Sequence, residues 1–212
     1  MRKKNKTSPW KIHGMSLLSY WKGNRSAQIG VQIENDEIDW MPVELYFRDE
    51  SNLPEIEYYA LDLCKGNVLD IGAGVGVHSL ILHKKGREVT AIDVSEEAVL
   101  IMQEREVKDV VCSSFLEFKS NKKFETLLFL MNGIGIAEKP EKLKKLLQHA
   151  NTLCAQKGQI ILDSTDLRKQ QDFKAVHPEY LGIVNYKLHF DNKISKSYSW
   201  LYIDQEMLQK TC

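Results

Sequence analysis

A glycine-rich loop between an apolar segment and an amphipathic segment most constrains how this chain can fold. Residues 68–71 (Val-Leu-Asp-Ile) lead directly into the loop 72–76 (Gly-Ala-Gly-Val-Gly), and residues 77–82 follow with helical periodicity. Glycines permit a tight turn and a close approach to the backbone, while the start of a helix offers free N–H groups to a ligand. We therefore predict a nucleotide-type site at the end of a central strand.

Short apolar runs alternate with amphipathic stretches on both sides of this loop. The predicted strands are 68–71, 88–92, 110–112, 126–131 and 159–163, and the predicted helices are 55–64, 76–85, 96–105 and 140–154, with Lys157-Gly158 as the last helix-to-strand turn. Parallel strands need such helical crossovers, which are overwhelmingly right-handed. The pattern predicts an α/β fold with a Rossmann-like, doubly wound, mostly parallel sheet and flanking helices.

We divide the chain into three segments. Residues 1–53 form a basic tail and an aromatic-rich cap segment, residues 54–166 form the Rossmann-like core, and residues 167–212 contain a predicted hairpin (185–190 and 197–203) and a short helix (205–210) capped by Asp204. The aromatic residues of the cap either pack in the core or, with Arg48, roof a pocket, and both alternatives stay open. No function is assigned to the tail, which we expect to be solvated.

Composition argues against several classes of partner. The 29 basic and 29 acidic residues leave no net charge to attract a nucleic acid. No apolar stretch approaches the roughly 20 residues that a membrane span needs. The four cysteines (Cys64, Cys112, Cys154 and Cys212) are too far apart for a typical zinc or redox motif, so we expect reduced thiols, no metal and a cytoplasmic protein.

Asp93 strengthens the prediction of a nucleotide site. It ends the second predicted strand about 20 residues after the loop, where a carboxylate can accept hydrogen bonds from both ribose hydroxyls. The loop reads G-x-G-x-G, and Val77 stands where a dinucleotide fingerprint would place its third glycine. The spacing therefore argues against NAD.

With an acidic residue ahead of G-x-G-x-G, the chain resembles the class I S-adenosylmethionine-dependent methyltransferases over residues 53–166. The string 130–135 (Leu-Met-Asn-Gly-Ile-Gly) is similar to a motif of a bacterial subgroup. The resemblance implies S-adenosylmethionine as cofactor, with its amino-acid end at Asp70 and the loop, its ribose at Asp93 and its adenine near Val94 and Ser114. The complete set implied as cofactor-binding is Asp70, Gly72, Ala73, Gly74, Gly76, Asp93, Val94, Ser114, Phe115, Met131, Asn132 and Gly133.

The resemblance implies methyl transfer to an acceptor that we expect to be a small molecule. No catalytic residue can be assigned. His78 either has a structural role, in packing or helix capping, or acts at the site. Residues 163–166 either contact an acceptor or cap a turn. The alternative function is a noncatalytic cofactor-binding or partner-binding module, favoured by Ser114 in place of the usual Asp and by the short carboxyl end.

The carboxyl end departs from the family pattern. The chain stops at Cys212, where a final helix of the fold would only have begun. Either the chain is shortened, or the hairpin within residues 186–202 forms the edge of the sheet. A bare fifth strand would allow self-association.

Overall fold

A computed structural model describes residues 7–170, 177 and 179–211. The helices in this part of the chain are α1 (Pro9–Trp21), α2 (Glu55–Asp62), α3 (Val77–Lys84), α4 (Glu96–Glu104), α5 (Pro140–Leu153) and α6 (Gln205–Thr211). The strands are β1 (Gln28–Ile33), β2 (Ile38–Pro42), β3 (Val68–Ile71), β4 (Val89–Asp93), β5 (Asp109–Cys112), β6 (Phe124–Phe129), β7 (Cys154–Leu162), β8 (Ile183–Phe190), β9 (Lys193–Ile194) and β10 (Tyr198–Leu201). Short 3-10 helices cover Val43–Phe47, Glu50–Asn52, Gly133–Ala137 and Leu167–Lys169.

The core is a five-stranded sheet in the order β5-β4-β3-β6-β7, and every neighbouring pair is parallel. This arrangement confirms the predicted Rossmann-like fold class. The chain moves outward from β3 to β5 and then returns to the other side of β3 through β6. Ligands of open α/β sheets bind beyond the carboxyl ends of the strands where the order reverses. That point lies between β3 and β6.

Apolar side chains cover both faces of this sheet. One face carries Val68 and Leu128 and packs against α1 and α3, and the other carries Leu69 and Phe129 and packs against α5. A strand covered on both faces needs an almost continuous apolar run, which the sequence of β6 supplies. The site described below lies at the carboxyl edge of this sheet.

The predicted hairpin belongs to a second sheet. β8 pairs antiparallel with β10 on one side and with β1 on the other, and β2 completes the order β10-β8-β1-β2. Of the two alternatives for the carboxyl end, the one in which this hairpin forms the edge of the parallel sheet is therefore wrong. The physical reason is that β8 finds its partner in the cap segment, where Val31 faces Leu188. In the described chain, β7 is the strand at that edge of the parallel sheet.

This second sheet joins the first and third predicted segments, since β1 and β2 come from one and β8 and β10 from the other. The division at residues 53 and 166 remains a prediction.

The turn predicted at Lys157-Gly158 is also wrong. β7 begins at Cys154, directly after α5, and its pairing with β6 shifts register between Cys154 and Gln159. Lys157 has a φ of 67°, so the two residues form an irregularity inside the strand rather than a turn before it. The predicted cap of α6 is confirmed, because the N–H of Met207 donates to the Asp204 carboxylate at 2.9 Å.

Within the described residues, no helix is both long and apolar enough to cross a lipid bilayer.

Candidate active site

Two glycines of the loop after β3 border open space. Gly72 and Gly74 have φ angles of 71° and 57°, and a Cβ placed on either one would meet no atom within 4 Å. Gly76 serves a different purpose, since its Cβ would lie 2.9 Å from Val107 and 3.0 Å from Met102. The absence of a side chain at Gly76 lets α3 pack closely, whereas at Gly72 and Gly74 it leaves room for a ligand.

The Asp93 carboxylate faces this loop. Its Oδ2 accepts the Gly74 N–H at 2.9 Å, and its Oδ1 accepts the Ser95 N–H at 2.8 Å. Burial raises the pKa of Asp93 to about 6, although the two backbone hydrogen bonds oppose that shift. Each carboxylate oxygen can accept a further hydrogen bond, so the group suits a vicinal diol such as ribose. Val94 follows with 43% of its surface exposed and offers an apolar contact beside it.

Ser114, which the resemblance implied as an adenine neighbour, follows β5, and Phe115 of the implied cofactor-binding set comes next. The Ser114 hydroxyl donates to a Glu117 carboxylate oxygen at 2.8 Å. The Phe115 side chain is 5% exposed and packs edge-on against Phe129 and His149, with ring centroids 5.1 and 5.0 Å away. The Phe115 ring therefore fills the hydrophobic core, and a contact between the backbone of Phe115 and the cofactor stays a prediction.

Asp70 lies beneath the loop and faces α3. It is 2% exposed and accepts a 2.6 Å hydrogen bond from the Ser79 hydroxyl. Burial raises the pKa of Asp70, while the charge of His78 and the hydrogen bond from Ser79 oppose the shift. The carboxylate thereby ties β3 to the first turn of α3. Ala73 is 8% exposed and packs in a core cluster with Ala91 and Val107.

The loop after β6 is held in an unusual conformation. Met131 and Asn132 both have a φ of 55°, a region that costs energy for residues with side chains. The Asn132 N–H donates to both Asp163 carboxylate oxygens at 2.8 and 2.9 Å, and its Nδ2 donates to the Leu201 carbonyl at 3.0 Å. These contacts hold the strained loop, and the Met131 side chain is left 48% exposed.

This loop meets the end of β3. A Cβ on Gly133 would lie 3.8 Å from the Ile71 carbonyl oxygen, so the two predicted ligand loops adjoin. Asn132 is 7% exposed, and its Oδ1 is buried without a hydrogen-bond partner in the described structure. Of the two alternatives for residues 163–166, capping is observed at Asp166, which caps the 3-10 helix after β7, while Asp163 supports this loop. Contact of these residues with an acceptor stays a prediction.

A buried ionic cluster, formed by Arg48, Glu57 and His78, lies beside both loops. Arg48 Nη2 donates to both Glu57 carboxylate oxygens at 3.0 Å, and His78 Nε2 lies 2.6 Å from Glu57 Oε2. Burial would raise the pKa of Glu57, but His78 and Arg48 outweigh it and lower that pKa. Arg48 Nη2 also lies 3.3 Å from Met131 Sδ.

Sequence reasoning missed Glu57 and left His78 and Arg48 unassigned. Glu57 occupies an ordinary position of the predicted helix 55–64, and nothing in the local pattern marks it as buried. Some aromatic residues of the cap segment pack against one another: Tyr20 and Trp21 lie against Phe47, and His13 lies edge-on to Tyr46. Trp10 instead packs against Tyr198 and Trp200 of β10. From that segment, Arg48 reaches Met131 in the loop after β6.

Two comparisons place the core among methyltransferases. The family model for a methyltransferase domain matches residues 68–158. A protein of Staphylococcus carnosus (strain TM300), described as an uncharacterized methyltransferase, is 34% identical over 85 residues, or 39% of this chain and 41% of that protein. The matched part thus spans less than half the length of that curated relative.

Solved structures match over a larger share of the chain. A SAM-dependent methyltransferase from Bacteroides fragilis, in complex with S-adenosyl-L-homocysteine, has a TM-score of 0.86 and 29% identity over 98% of this chain and 87% of that chain. A S-adenosylmethionine-dependent methyltransferase from Clostridium acetobutylicum ATCC 824 shares the fold, with a TM-score of 0.58 and 12% identity over 76% of this chain and 80% of that chain. Taken with the glycine loop and Asp93, these matches support the resemblance to the class I S-adenosylmethionine-dependent methyltransferases, and the family model identifies residues 68–158 as similar to a methyltransferase domain.

Proposed function

We propose that this chain transfers a methyl group from S-adenosylmethionine to a small-molecule acceptor. The observation that carries the proposal is the open space at Gly72 and Gly74, bordered by the Asp93 carboxylate. A nucleoside can approach the backbone there without displacing protein atoms. The similarity to a structure that holds S-adenosyl-L-homocysteine supports the same conclusion.

In this proposal the chain's residues bind and orient rather than react. Asp93 accepts hydrogen bonds from the ribose, Val94 contacts the adenine, and the loop after β3 surrounds the amino-acid end. The cofactor supplies an activated methyl group, and the protein's contribution is in-line positioning of the acceptor. The remaining residues of the proposed site are Asp70, Ala73, Gly76, Ser114, Phe115 through its backbone, Met131, Asn132 and Gly133.

We propose that the acceptor binds beside Met131 and Asp163. Met131 presents an exposed side chain where the loop after β6 adjoins the cofactor loop. The second sheet closes over this loop, because the Trp200 indole N–H donates to the Asn132 carbonyl at 3.1 Å. A covered site of this kind favours a small acceptor over a macromolecule.

Calorimetry with S-adenosylhomocysteine on a matched pair of glycine variants tests the cofactor site. Gly74→Val places a side chain in the open space, whereas Gly86→Val imposes a similar backbone strain at a φ of 77° in another turn, also without a neighbour within 4 Å. We expect at least a tenfold loss of affinity for Gly74→Val and a less than twofold change for Gly86→Val. Equal affinities in the two variants would contradict the proposal.

Activity is tested separately by release of S-adenosylhomocysteine from S-adenosylmethionine on a panel of small metabolites. Acceptor-dependent release identifies an enzyme. Tight cofactor binding without release on any acceptor would instead favour the noncatalytic module.

Two further points stay proposals. A cytoplasmic location is supported by the free thiols of Cys64, Cys112 and Cys154. Self-association through the edge of β7 is supported by the position of that strand in the sheet, and light scattering of the purified chain tests it.

A further inference from the structure

One face of the second sheet carries a row of aromatic side chains. Tyr198, Trp200 and Tyr202 occupy alternate positions along and just beyond β10, and alternate side chains of a strand lie on one face. Tyr186 of β8 pairs directly with Tyr198, and its hydroxyl lies 2.8 Å from that of Tyr202. Trp10 of α1 packs against this row, with its ring centroid 5.2 Å from Tyr198 and 5.8 Å from Trp200. The face is therefore an aromatic surface rather than an aliphatic one.

This aromatic surface meets the loops of the proposed site. The Trp200 indole N–H donates to the Asn132 carbonyl of the loop after β6. Burial and, less strongly, the nearby Asp163 carboxylate raise the pKa of Tyr202. Tyr46 of the cap segment joins them, since burial and, less strongly, Tyr202 raise its pKa. Aromatic rings and the Asp163 carboxylate thus converge at the carboxyl edge of the parallel sheet.

We call Tyr46, Tyr186, Tyr198, Trp200 and Tyr202 the aromatic cluster. All five side chains are only partly buried. Ring faces are therefore left for a ligand that enters between the second sheet and the loop after β6.

Asp163 brings a negative charge to this cluster. Both of its oxygens accept the Asn132 N–H, and no cationic side chain of the described residues forms an ion pair with it. Arg48 and His78 of the ionic cluster contact Glu57 instead, so the Arg48 charge is already balanced. Burial raises the pKa of Asp163, and the Glu57 charge adds to this effect while the Asn132 N–H opposes it. A bound cation would favour the ionised carboxylate.

Aromatic rings and a carboxylate are together the groups that recognise an organic cation. An ammonium group over a ring face is attracted by the ring quadrupole, and the attraction grows when water is excluded. The phenol oxygens and the Asp163 carboxylate can also accept hydrogen bonds from its N–H groups. An anionic acceptor would instead be repelled by Asp163. The cluster therefore favours an amine as acceptor over a carboxylate.

We propose that the acceptor is an aliphatic amine whose ammonium group binds between the aromatic cluster and Asp163, beside the exposed Met131 side chain. This inference rests on the proposed function, since it takes S-adenosylmethionine as the methyl donor. The ammonium group first gives one proton to the Asp163 carboxylate, which frees the nitrogen lone pair. That lone pair forms the bond to the methyl carbon while the carbon–sulfur bond breaks and leaves its electron pair on sulfur. The products are a methylated ammonium and S-adenosylhomocysteine, and Asp163 passes its proton to solvent.

NMR titration with a matched pair of small ligands tests the inference. Choline carries a methylated ammonium like that of the product, and 3,3-dimethylbutan-1-ol has the same shape without the charge. Each is titrated into the chain saturated with S-adenosylhomocysteine. The variants are Tyr198→Leu, Tyr198→Phe, Asp163→Asn and the control Trp40→Leu, whose ring is 49% exposed on β2 at the far edge of the second sheet.

We expect the unmodified chain to bind choline at least tenfold more tightly than the neutral alcohol. Tyr198→Leu removes a ring and should weaken choline at least fivefold, whereas Tyr198→Phe keeps the ring and should restore most of this affinity. Asp163→Asn removes the charge but keeps an oxygen that can accept the Asn132 N–H. Choline should therefore weaken at least fivefold in Asp163→Asn, while the neutral alcohol changes less than twofold.

The control Trp40→Leu should bind both ligands as the unmodified chain does. The affinity for S-adenosylhomocysteine should change less than threefold in every variant, which also reports that the variants remain folded.

Three results overturn the inference, and they are distinguishable. Equal affinity for choline and the neutral alcohol, or no measurable binding of choline, overturns it and leaves the proposed function standing. Equal losses of both ligands in Tyr198→Leu and in Asp163→Asn assign these residues to the fold and overturn it as well. If the unmodified chain does not bind S-adenosylhomocysteine, the proposed function itself fails, and the inference fails with it.

Discussion

Cofactor affinity should decrease as the pH falls through 6, because Asp93 must be ionised to accept two hydroxyl hydrogen bonds. Burial raises the pKa of this carboxyl to about 6. The carboxylate is then ionised in about nine-tenths of the ligand-free chains at pH 7 and in about one-tenth at pH 5. The dissociation constant of the cofactor should therefore rise about tenfold between pH 7 and pH 5, which corresponds to a loss of ~1.4 kcal/mol in binding free energy. The affinity falls towards acidic pH because the ligand hydroxyls favour the ionised Asp93 carboxylate and so lower its pKa on binding.

Calorimetry with S-adenosylhomocysteine between pH 5 and 7 measures this change. Near pH 6, titrations in buffers of different ionisation enthalpy should also show proton release. Asp93→Asn provides the control: its amide cannot accept from both the Gly74 and Ser95 N–H groups, so binding should be weaker at every pH and the step near pH 6 should disappear. An affinity that is constant from pH 5 to 7, or an identical step in Asp93→Asn, would refute this reasoning.

Two further predictions concern the supports of the two loops. A Cβ at Gly135 would overlap the Trp200 indole, so Gly135→Ala should displace this ring from the Asn132 carbonyl. We expect the free energy of unfolding to fall by about 1–3 kcal/mol. Urea denaturation followed by tryptophan fluorescence measures this change, and an unchanged midpoint would count against the described contact. Ser79→Ala removes the hydroxyl that donates to buried Asp70 and should lower the free energy of unfolding by about 1–3 kcal/mol at pH 7. Because the variant would raise the Asp70 pKa further, this loss of stability should shrink towards acidic pH. A loss of the same size at every pH, measured by urea denaturation, would contradict that account.

The parallel sheet could be predicted from sequence because its signals are local. The strand 68–71 was predicted with its observed bounds, and the helices α3, α4 and α5 were each predicted to within one residue at both ends. In each case an apolar run or an amphipathic period determines the element without knowledge of distant residues. Asp93 was likewise visible, because it ends a strand at a fixed distance from the loop.

The second sheet could not be predicted, because its pairing joins distant parts of the chain. Gly30 of β1 pairs with His189 of β8, and no local pattern records a partner so far along the sequence. The sequence therefore predicts the cap segment and the hairpin separately, and the alternative that placed the hairpin at the edge of the parallel sheet is wrong.

The ionic cluster was missed for a similar reason. Arg48, Glu57 and His78 come from a loop and from two different helices, and only tertiary packing brings them together. The direction of a side chain is equally invisible in a local motif: Phe115 follows Ser114, and its ring turns into the core against Phe129.

A crystal structure of the chain grown with S-adenosylhomocysteine tests the central claim most directly. The account predicts that the nucleoside lies against Gly72 and Gly74, with its ribose hydroxyls within hydrogen-bonding distance of the Asp93 carboxylate. A nucleoside bound elsewhere, or a ribose without contact to Asp93, would contradict it.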